Sequence, residues 1–283
     1  MAALSDYLSQ VRLLIHDANA YYFSDAQVIS YINQSRQRVS SASGCLRTLY
    51  PMALPQGQEI YPMNGAISAL TLSAGGSGYV NPTVTINDTS GTGAAASATV
   101  SGGVVTGLTV TAPGQNYVAP TVSISDSSGT GAAATASFTQ GIVDVLGVSY
   151  LWGNIRVSLG FSPWSRFNTL WRAWKGFQTN PSKFSTFGTT VYVAPVPPQL
   201  YQSDWDCAVV ASNLASTSDI DPIPYPYTEP VQYYAAYLAY LGMQKPDYAE
   251  QMLALYQRFL LTAAADSARR RIVDPYADWD QEE

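Results

Sequence analysis

The sequence predicts an α+β protein in which helix pairs from the two chain ends form a four-helix bundle. A small antiparallel β element lies between those pairs, and an all-β repeat module is inserted into it. Three observations lead there: apolar residues recur at helical spacing near both ends, they alternate at period two through the middle, and a 38-residue tandem repeat interrupts the chain. The implied division is a discontinuous core over 1–64 and 142–272, a glycine-rich module over 65–141, and an acidic tail over 273–283.

From the N-terminus, Leu4, Leu8, Val11 and Ile15 fall on one face of a helix over 4–16. A second helix opens at Ser24, which forms a capping box with Gln27 while Phe23 is placed to staple against Val28. Its inward stripe is Val28, Ile32 and Val39, which leaves Arg36 and Arg38 outside, and Gly44 ends it. Strands are expected over 57–63, 146–152, 154–160, 189–197 and 203–210, the last with Trp205, Cys207 and Val209 on one face. The aromatic segment 161–188 reads as irregular, with one or two helical turns in FNTLWRAW, and prolines hold 211–227 extended. Thr228 then caps a helix with Pro230 in its first turn and Val231, Tyr234, Leu238 and Leu241 as its stripe, stopped by Gly242. A longer helix from Pro246 turns Ala249, Met252, Leu253, Tyr256, Leu260 and Ala263 inward, and Asp266 and Arg270 stand four apart on its surface.

In the module, residues 74–100 align without a gap to 112–138, with 17 of 27 positions identical. ISALTL at 67–72 matches VTGLTV at 105–110, and VDVLGV at 143–148 begins a third copy. TVTI and TVSI alternate as strands, while GGSGY, PGQNY and SGTG are turns that glycine opens cheaply. GAAASATV is a weaker strand candidate, and Tyr79 and Tyr117 are placed to pack over the turn before each strand.

Fourteen basic against twenty acidic residues leave a net charge of −6 on 283 residues, and charged residues make up only 12%. That speaks against wrapping nucleic acid through net positive charge and suits a subunit that buries surface against neighbours. Charge is also blocked. Residues 65–141 hold only Asp88 and Asp126, residues 145–203 hold five cations and no acid, and 273–283 hold five acids and no cation. No stretch reaches the roughly 18 apolar residues of a membrane span, and MAALSDYLSQ lacks the basic start of a secretory signal. Cys45 and Cys207 read as free thiols, which fits an intracellular origin.

The chemistry-bearing candidates are few. His16 beside Asp17 is a lone pair of titratable groups, and one histidine with two distant cysteines builds no zinc site. Asp204 and Asp206 share a strand face, as a glycosidase pair would, between residues that core packing explains equally well. Asp88 and Asp126 supply one carboxylate per repeat, too few for calcium without many neutral oxygens. No cofactor or metal is expected, and no enzymatic activity. Trp171, Trp174, Arg166, Arg172 and Lys175 form an aromatic and basic run that reads as intersubunit contact or channel lining.

The stretch VRLLIHDANAYYFSDAQVISYINQSRQRV (11–39), the GQEIYPM and GVSYLWGNIRVSL strands, and the helical run 228–272 resemble, in that order, the head-to-tail adaptor (connector) proteins of short-tailed bacteriophages. The resemblance covers residues 4–63 and 142–272 through loose helical patterns, and it departs from the family at 65–141, where a short turn is expected. It implies a mostly helical virion protein, made in the host cytoplasm, that forms a homo-oligomeric ring of twelve copies at the head–tail interface. The ring would bind the portal protein ring, dock a downstream tail or nozzle protein and let genomic DNA pass without sequence-specific binding or any membrane. Carried onto this chain, Arg269, Arg270, Arg271, Tyr276 and Trp279 become the portal-contacting end. The competing expectation is a carbohydrate-binding or adhesin-like phage protein that uses the β repeats.

Overall fold

A computed structural model describes residues 2–172 and 177–270, the side chains of 266–270 excepted. The chain folds as two compact units, one built from the chain up to Leu46 and from Val209 onward, the other from Arg47–Ala208. β structure dominates, which corrects the expected fold class. In place of a four-helix bundle with a small β element, the architecture rests on a curled, mixed seven-stranded sheet and three two-stranded sheets. The mostly helical subunit that the resemblance implies is corrected with it.

The first unit holds α1 (Leu4–Leu14), α2 (Asp25–Ser43), and two helices from the C-terminal third, Glu229–Gly242 and Pro246–Arg270. The capping box forms as read: the Ser24 backbone N–H donates to Gln27 Oε1 at 3.0 Å and the Gln27 N–H donates to Ser24 Oγ. Gly44 closes α2 in the left-handed conformation. Leu4, Tyr7, Val11, Val28, Ile32, Val39, Val231 and Tyr256 share one core.

Three expectations fail here. Thr228 stands at the N-cap of helix Glu229–Gly242, but its side chain makes no capping hydrogen bond. Helix Glu229–Gly242 buries Val231, Ala235, Ala236, Ala239 and Tyr240, and Leu241 is exposed. The helix is apolar all round, so its pattern could not choose a face; small alanines allow the closest approach of neighbouring helices. Arg36, read as outward, is fully buried. It donates to Asp221 Oδ1 at 2.7 Å, the Ser212 carbonyl at 2.6 Å and Asn33 Oδ1 at 3.1 Å. Asp221 also accepts from the Tyr7 hydroxyl at 2.8 Å and the Ile223 N–H at 3.0 Å. Asn33 exchanges two bonds with the Leu214 backbone. This network fastens the extended segment 211–223 onto α1 and α2. Burial, and then the charge of Asp221, push the Tyr7 phenol well above its usual range.

The second unit contains β1 (Arg47–Leu54), β2 (Ile60–Pro62), then the module strands β3 (Ile67–Ser77), β4 (Thr83–Asn87), β5 (Thr92–Ser101), β6 (Val104–Gln115), β7 (Thr121–Ser125) and β8 (Thr130–Phe138). β9 (Ile142–Trp152) and β10 (Ile155–Phe161) follow. A short helix, α3 (Trp164–Arg166), runs into a π-helical turn over Phe167–Trp171, and β11 (Lys183–Phe187), β12 (Thr190–Ala194) and β13 (Tyr201–Val209) complete the set. The two later helices are α4 (Glu229–Gly242) and α5 (Pro246–Arg270).

The large sheet has the order β1-β13-β9-β10-β11-β12-β2, with β10 and β11 parallel. It curls: Tyr61, on the β2 edge, meets Trp205, one strand in from the β1 edge, with ring centres 5.9 Å apart. Trp205 is fully buried, and its indole N–H donates to Ser203 Oγ at 3.0 Å. Two of the strands, β1 and β11, were not expected. β1 carries Pro51, which a sheet tolerates here because β1 is an edge strand.

Candidate functional site

Segment 161–188 builds a braced aromatic cluster at the β11–β12–β2 side of the large sheet. Trp164 stacks on Phe187 at 4.7 Å and leans on Tyr192 at 4.6 Å, with Phe167 behind it at 6.3 Å. The π turn closes with the Arg172 N–H donating to the Phe167 carbonyl, a five-residue step. That step aims Arg172 back over the rings, 5.4 Å from the centre of Trp164 and 5.1 Å from Tyr192. Arg172 also pairs with Glu59, beside β2, and donates to Asn168 Oδ1 at 3.0 Å. In this cluster Phe187 is more than half exposed, as is Leu170 in the π turn; Phe161, which packs on Phe184 on the other face of β11, and Phe177 are exposed as well.

Of the residues named from the sequence, Arg172 is thus committed to internal bonding, while Arg166 is exposed and makes no ion pair among the described residues. Trp171 is half-buried at the end of the π turn. Trp174 and Lys175 lie outside the described residues. Arg269 and Arg270 end α5, with side chains outside the described set, as are Arg271, Tyr276 and Trp279 altogether.

The acidic candidates turn out to be occupied. Asp204 and Asp206 do share the outer face of β13, and each is neutralised across strands, Asp206 by Arg47 of β1 and Asp204 by Arg156 of β10. Asp17 is buried, which would raise its pKa, but N–H donors from Phe23, Tyr22 and Tyr21 and the charge of Arg12 outweigh burial and hold it below the usual carboxylate range. It therefore fixes the α1–α2 loop, and His16 stays exposed in a left-handed conformation.

The carboxylate oxygens of Asp88 and Asp126 face N–H donors. Asp88 accepts from Ser90 at 2.9 Å, Gly91 at 3.0 Å, Val118 at 3.1 Å and Ala119 at 2.7 Å. Asp126 accepts from Ser128 at 3.1 Å, Val80 at 2.9 Å and Asn81 at 2.7 Å. These bonds, the Ser90 N–H foremost for Asp88 and the Val80 N–H foremost for Asp126, hold both carboxyls far below their ordinary value. Each aspartate thereby ties its own turn to the loop of the other repeat. Tyr79 and Tyr117 are buried over the turns that precede their strands, against Gly76 and Gly114, and also reach the turn of the opposite repeat, with Gly129 and Gly91 under their rings. A Cβ on Gly91 would stand 2.3 Å from the Tyr117 ring. Neither ring is presented for stacking on a sugar.

No cluster of three or more His, Cys, Asp or Glu side chains able to hold a metal occurs among the described residues. No helix among them is long and apolar enough to cross a membrane. Fold and site define a mostly β, two-unit chain whose described acidic groups are largely spent on internal bonding and whose exposed side chains include many large apolar ones. No family model matches the chain, and no curated protein matches it.

Proposed function

We propose that this chain is a virion structural protein, the subunit of a ring that joins the portal to the tail of a short-tailed phage, extends the DNA channel and docks a downstream tail or nozzle protein. The observation that carries the reading is the exposed apolar surface of Leu170 and Phe187 on a cluster braced by Arg172 and Glu59. Rigid, exposed aromatic surface on a chain with only 12% charged residues suits burial against neighbouring subunits. The order of motifs that resemble head-to-tail adaptors points the same way, and the module over 65–141 is an elaboration beyond that likeness. Arg166 is an exposed cation of this segment, available to a passing DNA backbone or a partner.

The test is electron microscopy of the protein mixed with the portal ring encoded by the same genome, with the protein alone as control. The expected result is an added twelve-fold layer on the portal, lost in a Leu170→Ser/Phe187→Ser variant that still folds. Absence of an added layer across a range of salt concentrations refutes the reading.

A further inference from the structure

The β module pairs its strands only across the repeat boundary. β3, β4 and β5 belong to the first repeat, and β6, β7 and β8 to the second. The ladders join β3 to β8, β4 to β7 and β5 to β6, so among the described residues no module strand pairs within its own repeat. The registers follow the 38-residue shift of the sequence. Thr71 faces Thr135 in one ladder and its equivalent Thr109 faces Ser97, the equivalent of Thr135, in the other. Both ladders break step at the same place, after the pairs Leu72–Ala134 and Val110–Ala96. In the central pair Thr85 faces Ser123, its own equivalent, and a local two-fold axis passes between them.

The side-chain locks cross that axis too. Asp88 holds the Val118–Ala119 loop and Asp126 the Val80–Asn81 loop. The Tyr117 hydroxyl accepts from the Ala94 N–H at 3.2 Å, and the Tyr79 hydroxyl from the Ala132 N–H at 3.1 Å. A lone repeat would leave its ladder groups and both locks unfilled. What complements one repeat is another.

We infer that each 38-residue repeat is a self-complementary binding element whose partner is a second copy of the repeat, so that a chain with one repeat closes its module with the repeat of a second copy of this chain. The incoming and outgoing ends of the module lie side by side, with Gly65 N–H donating to the Thr139 carbonyl at 2.7 Å and Thr139 N–H to Ala66 at 2.8 Å. In the two-chain form the outgoing end of one copy therefore sits beside the incoming end of the other, and the copies exchange the halves that follow.

The test is the full chain lacking Thr92–Gly129, which joins Gly91 to Thr130 and restores the D-T-S-G-T-G turn of the parent. Light scattering is expected to show a dimer. Thr83, Thr85 and Asn87 are exposed along the central strand, and between two copies Thr85 would face Thr85 while Thr83 faces Asn87. In this shortened chain, Thr83→Lys/Thr85→Lys/Asn87→Lys should therefore weaken self-association, and mixing with the corresponding triple glutamate chain should restore it as a heterodimer by native mass spectrometry. Each facing pair of like charges weakens the homodimer by roughly 1.5- to 5-fold. A folded monomer overturns the inference, as does a lysine chain that dimerises as well alone as with its glutamate counterpart. If the unsubstituted deletion is insoluble, co-expression of the two charged chains decides: a soluble heterodimer supports the inference, and insolubility of the pair refutes it.

Discussion

Replacing Arg36 by methionine should be among the most damaging single changes in the helical unit. The side chain is fully buried and donates to Asp221, the Ser212 carbonyl and Asn33, while Asp221 is itself fully buried. Arg36→Met leaves a carboxylate in the interior with only the Tyr7 hydroxyl and the Ile223 N–H as donors among the described residues. Breaking one side of such a pair costs about 3–5 kcal/mol, against a total of roughly 5–15 kcal/mol for a domain. Arg36→Met/Asp221→Leu removes the stranded charge, and what remains is the cost of two donors without an acceptor, about 1–3 kcal/mol each at most. Two such donors come to roughly 2–6 kcal/mol, below the roughly 6–10 kcal/mol to which the two single losses would sum, so the two changes should be strongly non-additive. The assay is urea unfolding followed by the far-ultraviolet helical signal, which comes chiefly from this unit, compared at unchanged m-value. An Arg36→Met variant within about 1 kcal/mol of the parent, or a double variant whose loss equals the sum of the single losses, would refute the reasoning.

Three further outcomes are expected. Gly91→Ala and Gly129→Ala each drive a methyl into a buried tyrosine ring and should destabilise the module by about 1–3 kcal/mol, measured as a fall in its melting temperature, whereas Gly102→Ala, with open space around it, should show only the strain of its left-handed backbone. Because Asp88 and Asp126 have depressed pKa values when folded, the stability they contribute is intact above the unfolded carboxylate value of about 3.9 and drains away as pH falls towards the folded values; an Asp88→Asn/Asp126→Asn variant should lack that acid-dependent loss, and an identical acid profile would count against the assignment. Burial pushes the Cys207 thiol up to about 12, so at pH near 8 it should resist alkylation until the protein unfolds, and mass mapping that finds it modified at the rate of a free thiol would contradict its placement.

Much of this architecture is written in local patterns, and the failures have identifiable causes. Ser24, Gln27 and Gly44 mark α2 because caps are short-range chemistry, and the structure places them as read. Arg36 was misplaced by its charge. It follows Ile32 by four residues and precedes Val39 by three, so helical spacing alone puts it on the buried stripe, and the acceptors that admit it come from residues 212 and 221, far along the chain. Pro51 interrupts the strand pattern of β1, and only the sheet order shows that its missing N–H lies on an edge strand. The repeat and its period are plain in the sequence, yet the crossing of the repeats is not. A duplicated sequence permits the same ladder within one copy or between two, and only topology distinguishes them. The turns D-T-S-G and D-S-S-G did carry a signal that an aspartate accepts its own backbone N–H groups there, which favours an anchored turn over a cation site. Around Arg172 the sequence showed the aromatic and basic composition, but the insertion of one extra residue in the π turn decides which cation stacks and which stays free.

The closure at Gly65, Ala66 and Thr139 also bears on how such a chain can change over generations. Because the strand that leaves the large sheet and the strand that returns are already bonded to each other, everything between them hangs from one seam. A graft at that seam needs only two ends a few ångströms apart, so the loop-closure cost is nearly independent of what is grafted. The contacts to be made good on the host side are small, chiefly Ala53 beneath Ile67, Val110 and Tyr117, and the Tyr50 hydroxyl on the Gln140 carbonyl. The module is in this sense a cassette. The surface it displays can lengthen, shorten or be replaced by recombination while the curled sheet that carries it keeps its register.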